Sequence, residues 1–529
     1  MKKRKLLLTL TALGMLGGAI GLSSCKGNQD DPNALKIMVV KLGYGTNWLK
    51  ALAEDFTAQT GTKVAITEVV GDTGLNKISG ELYANVCNAD IYMTRLKTQY
   101  AEWCNDQLKS RFVDLTDIYN EPYEGENGAT MYSKMDPIFR DYNKQNGKYY
   151  AVQWSTGFMS FARNLDVWNK YMPAGSVTPR TTEEFFETLE TLKSRIDDEN
   201  VAPAIFNAKQ EYYSSVVGSW FYQYEGSENM QNFYDGKDSS GDYDPNGGLY
   251  DYAGQEQSLK FLDRLLNPSN GYHHRDSDSS QTFTTMQINF VRGAAAFCLN
   301  GTWMEHEIGE SYYNKNIDFI KLPMISSITD RLSFKSAGDK ESKLRELVSY
   351  VDSHINVGDN ASCTVSGVTD GDIEIVREAR NGGSLVKTDQ DHQVVITPTS
   401  DKIDVAKKFV KYMYSDRGLE VYTTAMKGHR LPATPSVGYK AQTVSKLQSS
   451  IDKYNNEGKF NYYEVESYRS KIYSYNVVKL NFSNGLGTST CIKELLKTGS
   501  SHMDPNTILA KNREDIANRW VREIAPLLG

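Results

Sequence analysis

The run Leu35-Lys36-Ile37-Met38-Val39-Val40, the loop Gly43-Tyr44-Gly45-Thr46-Asn47, the apolar stripe Trp48, Leu49, Leu52 and Phe56, and the run Lys63-Val64-Ala65-Ile66-Thr67 together decide the fold. The first run is short and apolar, the pattern of a buried strand. The stripe repeats every three or four residues, which puts its members on one helix face. Gly61 ends that helix, and the second run reads as another strand. Strand, helix and strand in succession make a βαβ unit, and such a unit requires a parallel sheet covered by helices. Open α/β sheets take their ligands beyond the carboxyl ends of the strands, so the loop 43–47 is a candidate ligand loop.

The same alternation continues outward. Asp90-Ile91-Tyr92-Met93 reads as a third strand and Tyr149-Tyr150-Ala151-Val152 as another. Thr181 and Glu184 have capping-box spacing, with Phe185, Leu189 and Leu192 on one stripe behind them. Glu225 to Gly254 is rich in Gly, Asp, Asn, Ser and Tyr and reads as an irregular insertion. Gly293-Ala294-Ala295-Ala296-Phe297 leads into Gly301-Thr302-Trp303-Met304. Val394-Val395-Ile396 is a strand, Pro398-Thr399-Ser400 a turn, and Ile403, Ala406, Phe409, Val410 and Met413 a helix face. A terminal helix turns Leu509, Ile516, Trp520 and Ile524 inward. No internal repeat is present. Mixed strands and helices over some five hundred residues exceed one core, so the expectation is α/β with two lobes or more.

The N-terminus reads as an address. Lys2, Lys3, Arg4 and Lys5 precede an apolar run, Leu6 to Leu22, which ends in Leu22-Ser23-Ser24-Cys25. A basic head, an apolar middle and a small-residue end mark an export signal. The ending resembles a bacterial lipobox, which implies cleavage before Cys25 and acylation of its sulfur. Residues 25–34 are polar and read as a tether. Loss of residues 1–24 takes four positive charges from a chain of formal net charge −7, leaving −11. A chain that acidic, with no basic stripe, is not built for nucleic acid. The remaining cysteines, Cys87, Cys104, Cys298, Cys363 and Cys491, are odd in number and contain no CxxC, so they form neither a disulfide framework nor a zinc site. Thirty-three tyrosines and seven tryptophans are the notable excess. Such rings pack cores, or stack on flat apolar ligand faces such as those of sugars.

Several pieces, in order, resemble the family 1 extracellular solute-binding proteins of sugar importers, relatives of the maltodextrin-binding proteins. They are Thr60-Gly61-Thr62-Lys63-Val64, Asp90-Ile91, Gly147-Lys148-Tyr149-Tyr150-Ala151-Val152 followed by Asn164-Leu165, Pro179 to Phe185, Gly301-Thr302-Trp303-Met304, Ile396-Thr397-Pro398 through Ala406 and Phe409, and Leu431-Pro432-Ala433. The resemblance spans nearly the whole mature chain. It departs at Gln153-Trp154, where a proline is usual, and over 225–254 and roughly 325–390, which are longer or more diverged.

The resemblance implies a periplasmic-binding-protein-like clamp of type II. The expected division is 35–155 with 322–425 as the first lobe, and 156–321 with 426–529 as the second. It implies capture of a carbohydrate without cofactor or metal, no catalysis, delivery to the permease of an ABC transporter, and a monomer held to the membrane through a lipid on Cys25. The candidate site residues are Tyr44, Thr46 and Asn47 after the first strand and Thr94 and Arg95 after the third, where open α/β sheets place ligands, with Trp154, Ser155 and Thr156 facing the cleft at the inferred lobe crossover, and above all Trp303, whose loop resembles one that carries a sugar-stacking ring in relatives. Each has a plainer reading, as an ordinary loop residue, a solvated charge or a packing ring. Trp220, Tyr222 and Tyr224 form a further cluster that suits a core as well as a cleft.

Other signals are weaker. Asp242 to Gly247 matches half of a calcium loop, but Ala253 stands where the bidentate carboxylate belongs. His273-His274 and Glu305-His306-Glu307 lack the spacing of a zinc motif. A surface enzyme acting on polysaccharide, a helical glycan-capture lipoprotein, and a peptide binder in the same clamp remain as alternatives.

Overall fold

The computed structural model describes residues 31–96, 98–104, 111–155, 157–207, 212–277, 282–355, 360–388, 392–429, 431, 444–457, 484–487 and 489–528. The leader with Cys25, Thr156, and residues 432–433 lie outside them.

The opening βαβ unit forms as the sequence predicts. Strand β1 (Leu35–Lys41) pairs in parallel with β2 (Val64–Val70) and with β3 (Ile91–Arg95). The helix Asn47–Thr60 buries Trp48, Leu49, Leu52, Ala53 and Phe56. It stops at Gly61, whose φ of 74° is the left-handed cap conformation that glycine adopts without strain. The predicted strand at 149–152 divides into a hairpin, β4 (Lys144–Gln145) with β5 (Lys148–Tyr149), and a separate β6 (Val152–Gln153). Tyr119 enforces the break. Its ring stacks on Tyr149 at 4.1 Å, and its hydroxyl donates to the Ala151 carbonyl at 2.7 Å.

The chain then enters a second sheet. β7 (Gly157–Asn164) is buried along its whole length. It pairs antiparallel with β9 (Ala295–Gly301) on one side, and β9 pairs in parallel with β8 (Ala202–Ile205). On its other side β7 meets β10 (Ile317–Ile320) along Phe161–Asn164 and β11 (Val386–Thr388) along Gly157–Met159. Side chains alternate across the strand. Met159 and Phe161 join one core with Phe185, Trp220 and Phe297, while Phe158 and Ala162 join another with Phe319, Leu447 and Tyr454. The chain finally returns as β12 (His392–Ile396), antiparallel to both β3 and β6, which completes the first sheet in the order β2-β1-β3-β12-β6.

The cores fix the lobes, and they move the boundary expected at 322. Leu322, Met324, Ile328, Leu344, Val348 and Val376 pack with Trp220 and Phe161 in the second lobe, whereas Val394 through Leu431 pack with Leu35–Trp154 in the first. The physical reason is the helix pair Lys340–Ser353 and Asp370–Gly383: the second packs on the long helix Tyr212–Tyr234, the first packs on the second, and the apolar faces of both join the second core. The expected irregular insertion is also shorter. Helix Tyr212–Tyr234 runs through its first ten residues, interrupted only at Gly226 with φ 83°. Thr181 caps Glu184 N–H as predicted, but the Glu184 carboxylate turns to the Arg180 backbone N–H at 2.7 Å, so half of the capping box forms.

Candidate ligand site at the seam between the lobes

The carboxyl end of β9 brings the second lobe against the loop that follows β1. Residues Gly301-Thr302-Trp303 leave the sheet and enter a short helix, Met304–Ile308. Gly301 is required here. A Cβ on it would lie 2.3 Å from the Trp303 ring, so the indole folds back over a bare backbone. Gly43 does the same from the other lobe, where a Cβ would stand 2.9 Å from both Trp303 and the Glu307 carboxylate. Trp303 is half-buried and touches the cores of both lobes.

Tyr44 closes the seam. Its hydroxyl lies 2.6 Å from Thr302 Oγ1, its ring meets Trp303 edge-on at 6.2 Å, and its face stacks on His429 at 4.4 Å. His306 of the second lobe approaches Tyr44 at 5.7 Å and His429 at 6.1 Å. Burial pushes the His306 imidazole down to about 4; Lys427 acts in the same sense and Glu310 against it. Lys427 and Glu310 form an ion pair between the lobes.

The other expected site residues are placed differently. Thr46 is buried and donates to Glu68 at 2.6 Å, a carboxylate already paired with Lys50 at 2.7 Å. Asn47 is exposed at the start of its helix. Thr94 has no exposed surface and sits opposite Gln393 in the sheet, while Arg95 reaches the partly exposed strand end opposite His392. Ser155 is fully buried at the lobe crossing, and Thr156 is outside the described residues.

Trp154 requires correction. Expected to face the cleft, it is completely buried and stacks on Trp48 at 5.3 Å and 15°, with Tyr422 donating to its carbonyl at 3.3 Å. Two indoles face to face remove more apolar surface from water inside the lobe than one would at its rim. Trp220, Tyr222 and Tyr224 likewise belong to the second core.

The structure adds residues that spacing did not reveal. Tyr212, half-buried at the start of its helix, meets Trp303 edge-on at 6.2 Å and Phe283 at 4.9 Å, extending one aromatic wall from the second lobe. Glu307 stands one turn beyond Trp303 on the same helix face. Gln287 is fully buried and donates through Nε2 to Glu307 at 2.7 Å and to Asn300 at 3.3 Å. Glu307 draws notice in the sequence as part of Glu305-His306-Glu307, set aside there as a metal signal, and its place after the tryptophan loop is the signal that points to this role.

A further concavity of about 490 Å³, lined by Lys193, Asp197, His273 and Arg275, opens at the start of β8, the end of the second sheet away from Trp303. Among the described residues no group of three His, Cys, Asp or Glu side chains is gathered to hold a metal ion, and no helix is long and apolar enough to cross a membrane.

Two α/β lobes, joined by crossing strands and meeting over an aromatic seam, define a two-domain substrate-binding protein. Residues 51–335 match the model of the bacterial extracellular solute-binding proteins, more than half of the chain, and the chain belongs to that family. No curated protein matches it. Many solved structures share the fold, the following three among them. The solute-binding protein RafE in complex with raffinose has a TM-score of 0.55 and 14% identity over 91% of this chain and 100% of that one. A chitin oligosaccharide binding protein gives 0.56 and 14% over 90% and 95%. The ABC substrate-binding protein Lmo0181 from Listeria monocytogenes, in complex with cycloalternan, gives 0.56 and 12% over 92% and 99%.

Proposed function

We propose that this protein captures a carbohydrate between its lobes and delivers it to the permease of an ABC importer, without catalysing a reaction. The observation that carries this reading is Trp303, a partly exposed indole bordering both cores and flanked by Tyr212 and Tyr44. A ring in that position offers a flat apolar face to a guest held between the lobes, and sugars present matching faces. The sugars named for the three similar structures support the same class of ligand. In this reading closure excludes water, which strengthens each hydrogen bond to a sugar hydroxyl. The protein acts as a monomer held outside the cytoplasmic membrane by lipid on Cys25. Cys25→Ser is then expected to move it from the membrane to the soluble fraction.

A thermal-shift screen against mono- and oligosaccharides tests the ligand class. A ligand at 100 times its Kd stabilises by about 2.7 kcal/mol. The expected result is a shift with at least one sugar that Trp303→Ala abolishes while the unliganded melting temperature is kept. Turnover of a glycan, or an unchanged affinity in Trp303→Ala, would refute the reading.

A further inference from the structure

The half-buried carboxylate of Glu307 is set beside Trp303 at the seam with no counter-ion among the described residues. Its backbone N–H bonds to the Trp303 carbonyl at 3.1 Å, which fixes carboxylate and indole on one face of the same turn. Gln287 holds Oε2 at 2.7 Å and is itself tied to Asn300, whose Oδ1 accepts the Gly301 N–H at 2.8 Å. Two polar side chains, Asn300 and Gln287, thus link the sheet to this one carboxylate. Oε1 faces the other lobe and packs close to the Gly43 backbone, where an added Cβ would stand only 2.9 Å away.

We propose that Glu307 is a specificity-determining residue of the ligand site, accepting hydrogen bonds from the hydroxyls of a neutral sugar stacked on Trp303 and excluding acidic sugars. This rests on the carbohydrate reading above. A carboxylate is acceptor-only when ionised, and its two oxygens suit a pair of hydroxyl donors. Taking it out of water without a cation is costly, and hydroxyl donors relieve that cost without neutralising the charge. Burial accordingly holds its carboxyl above the usual range, with Gln287 opposing. A uronate brought to the same seam would add a second uncompensated anion. The arrangement therefore selects by charge as well as by shape.

The test is calorimetric titration of the full chain and of Glu307→Gln with raffinose, chitin oligosaccharides, cycloalternan, galacturonate oligosaccharides and choline. Wild type is expected to bind a neutral sugar and to reject galacturonates. Glu307→Gln keeps the side-chain shape and is expected to lose at least tenfold in affinity for the neutral sugar. Gln287→Met, which frees the carboxylate without removing it, is expected to lose less. A neutral sugar bound equally by wild type and Glu307→Gln would overturn this inference alone, as would preference for galacturonates. Binding of choline in place of every sugar, or of no sugar at all, would overturn the carbohydrate reading and this inference with it.

Discussion

Tyr44 Oη and Thr302 Oγ1 lie 2.6 Å apart, one from the loop after the first strand of the first lobe, the other from the end of a strand in the second. Both residues are buried, at 4% and 2% exposure, so neither hydroxyl has ready access to water in the closed arrangement. Removing the Tyr44 hydroxyl takes this partner from the buried Thr302 Oγ1, at about 1–3 kcal/mol, whereas replacing both is nearly neutral. Tyr44→Phe is therefore expected to weaken ligand binding by roughly tenfold or more through the closed state. Adding Thr302→Val is expected to restore most of that loss. Titration of the two single variants and the double variant measures the coupling, and additive losses would show that the pair does not act as a latch.

Gly301→Ala tests the placement of Trp303. The added methyl would lie 2.3 Å from the indole, closer than any packing allows, so the ring must leave its position. The variant is expected to lose about 1–3 kcal/mol of stability, with ligand affinity reduced nearly as far as in Trp303→Ala. Denaturant titration reads the first and calorimetry the second.

Trp154 should behave as a core residue. Trp154→Ala opens a cavity beside Trp48 and is expected to cost about 3–5 kcal/mol of stability. The indole N–H is buried with no hydrogen-bond partner among the described residues, so Trp154→Phe, which keeps a ring on Trp48, is expected to cost much less. If Trp154→Ala were stable and lost only ligand affinity, the ring would have to face the cleft after all.

Histidine burial sets an acid limit. His306 in the fold titrates at about 4 against an ordinary value of 6.5. Because the folded value lies below the unfolded one, the unfolded chain binds more protons between the two, and stability falls as pH drops from about 6.5 toward 4. Above that window the imidazole contributes nothing to the pH dependence. Lys427, Glu310, Tyr44 and His429 are the titratable and charged groups recorded against it. Burial holds Glu305 and Glu307 above their ordinary range, which acts in the opposite sense, so the comparison must be with His306→Gln. That variant is expected to lose less stability than wild type between pH 7 and pH 5 in urea titrations.

Much of the fold is legible in the sequence. The βαβ opening, the Gly61 stop, the helix face Ala406-Phe409-Val410-Met413 and the inward Ile516, Trp520 and Ile524 each follow from local periodicity and caps. Trp303 stands out in the sequence through the family resemblance of the loop Gly301-Thr302-Trp303-Met304. Trp154 was misplaced because ring type and position near a crossover do not tell which face of a short strand points inward. Tyr212 and Gln287 leave no trace, because nothing in the local pattern of either helix tells which of its residues turns toward Trp303.

Local pattern is enough to set the list of elements and the class of sheet, since hydrogen-bonding period and turn chemistry act over a few neighbouring residues. Which lobe claims residues 322–388, which tryptophan is sealed and which is open, and how Glu307 comes to stand beside Trp303 and opposite Gly43 were decided only by the tertiary structure. Those outcomes depend on how apolar faces from distant segments compete to bury one another, and no local pattern records the winner.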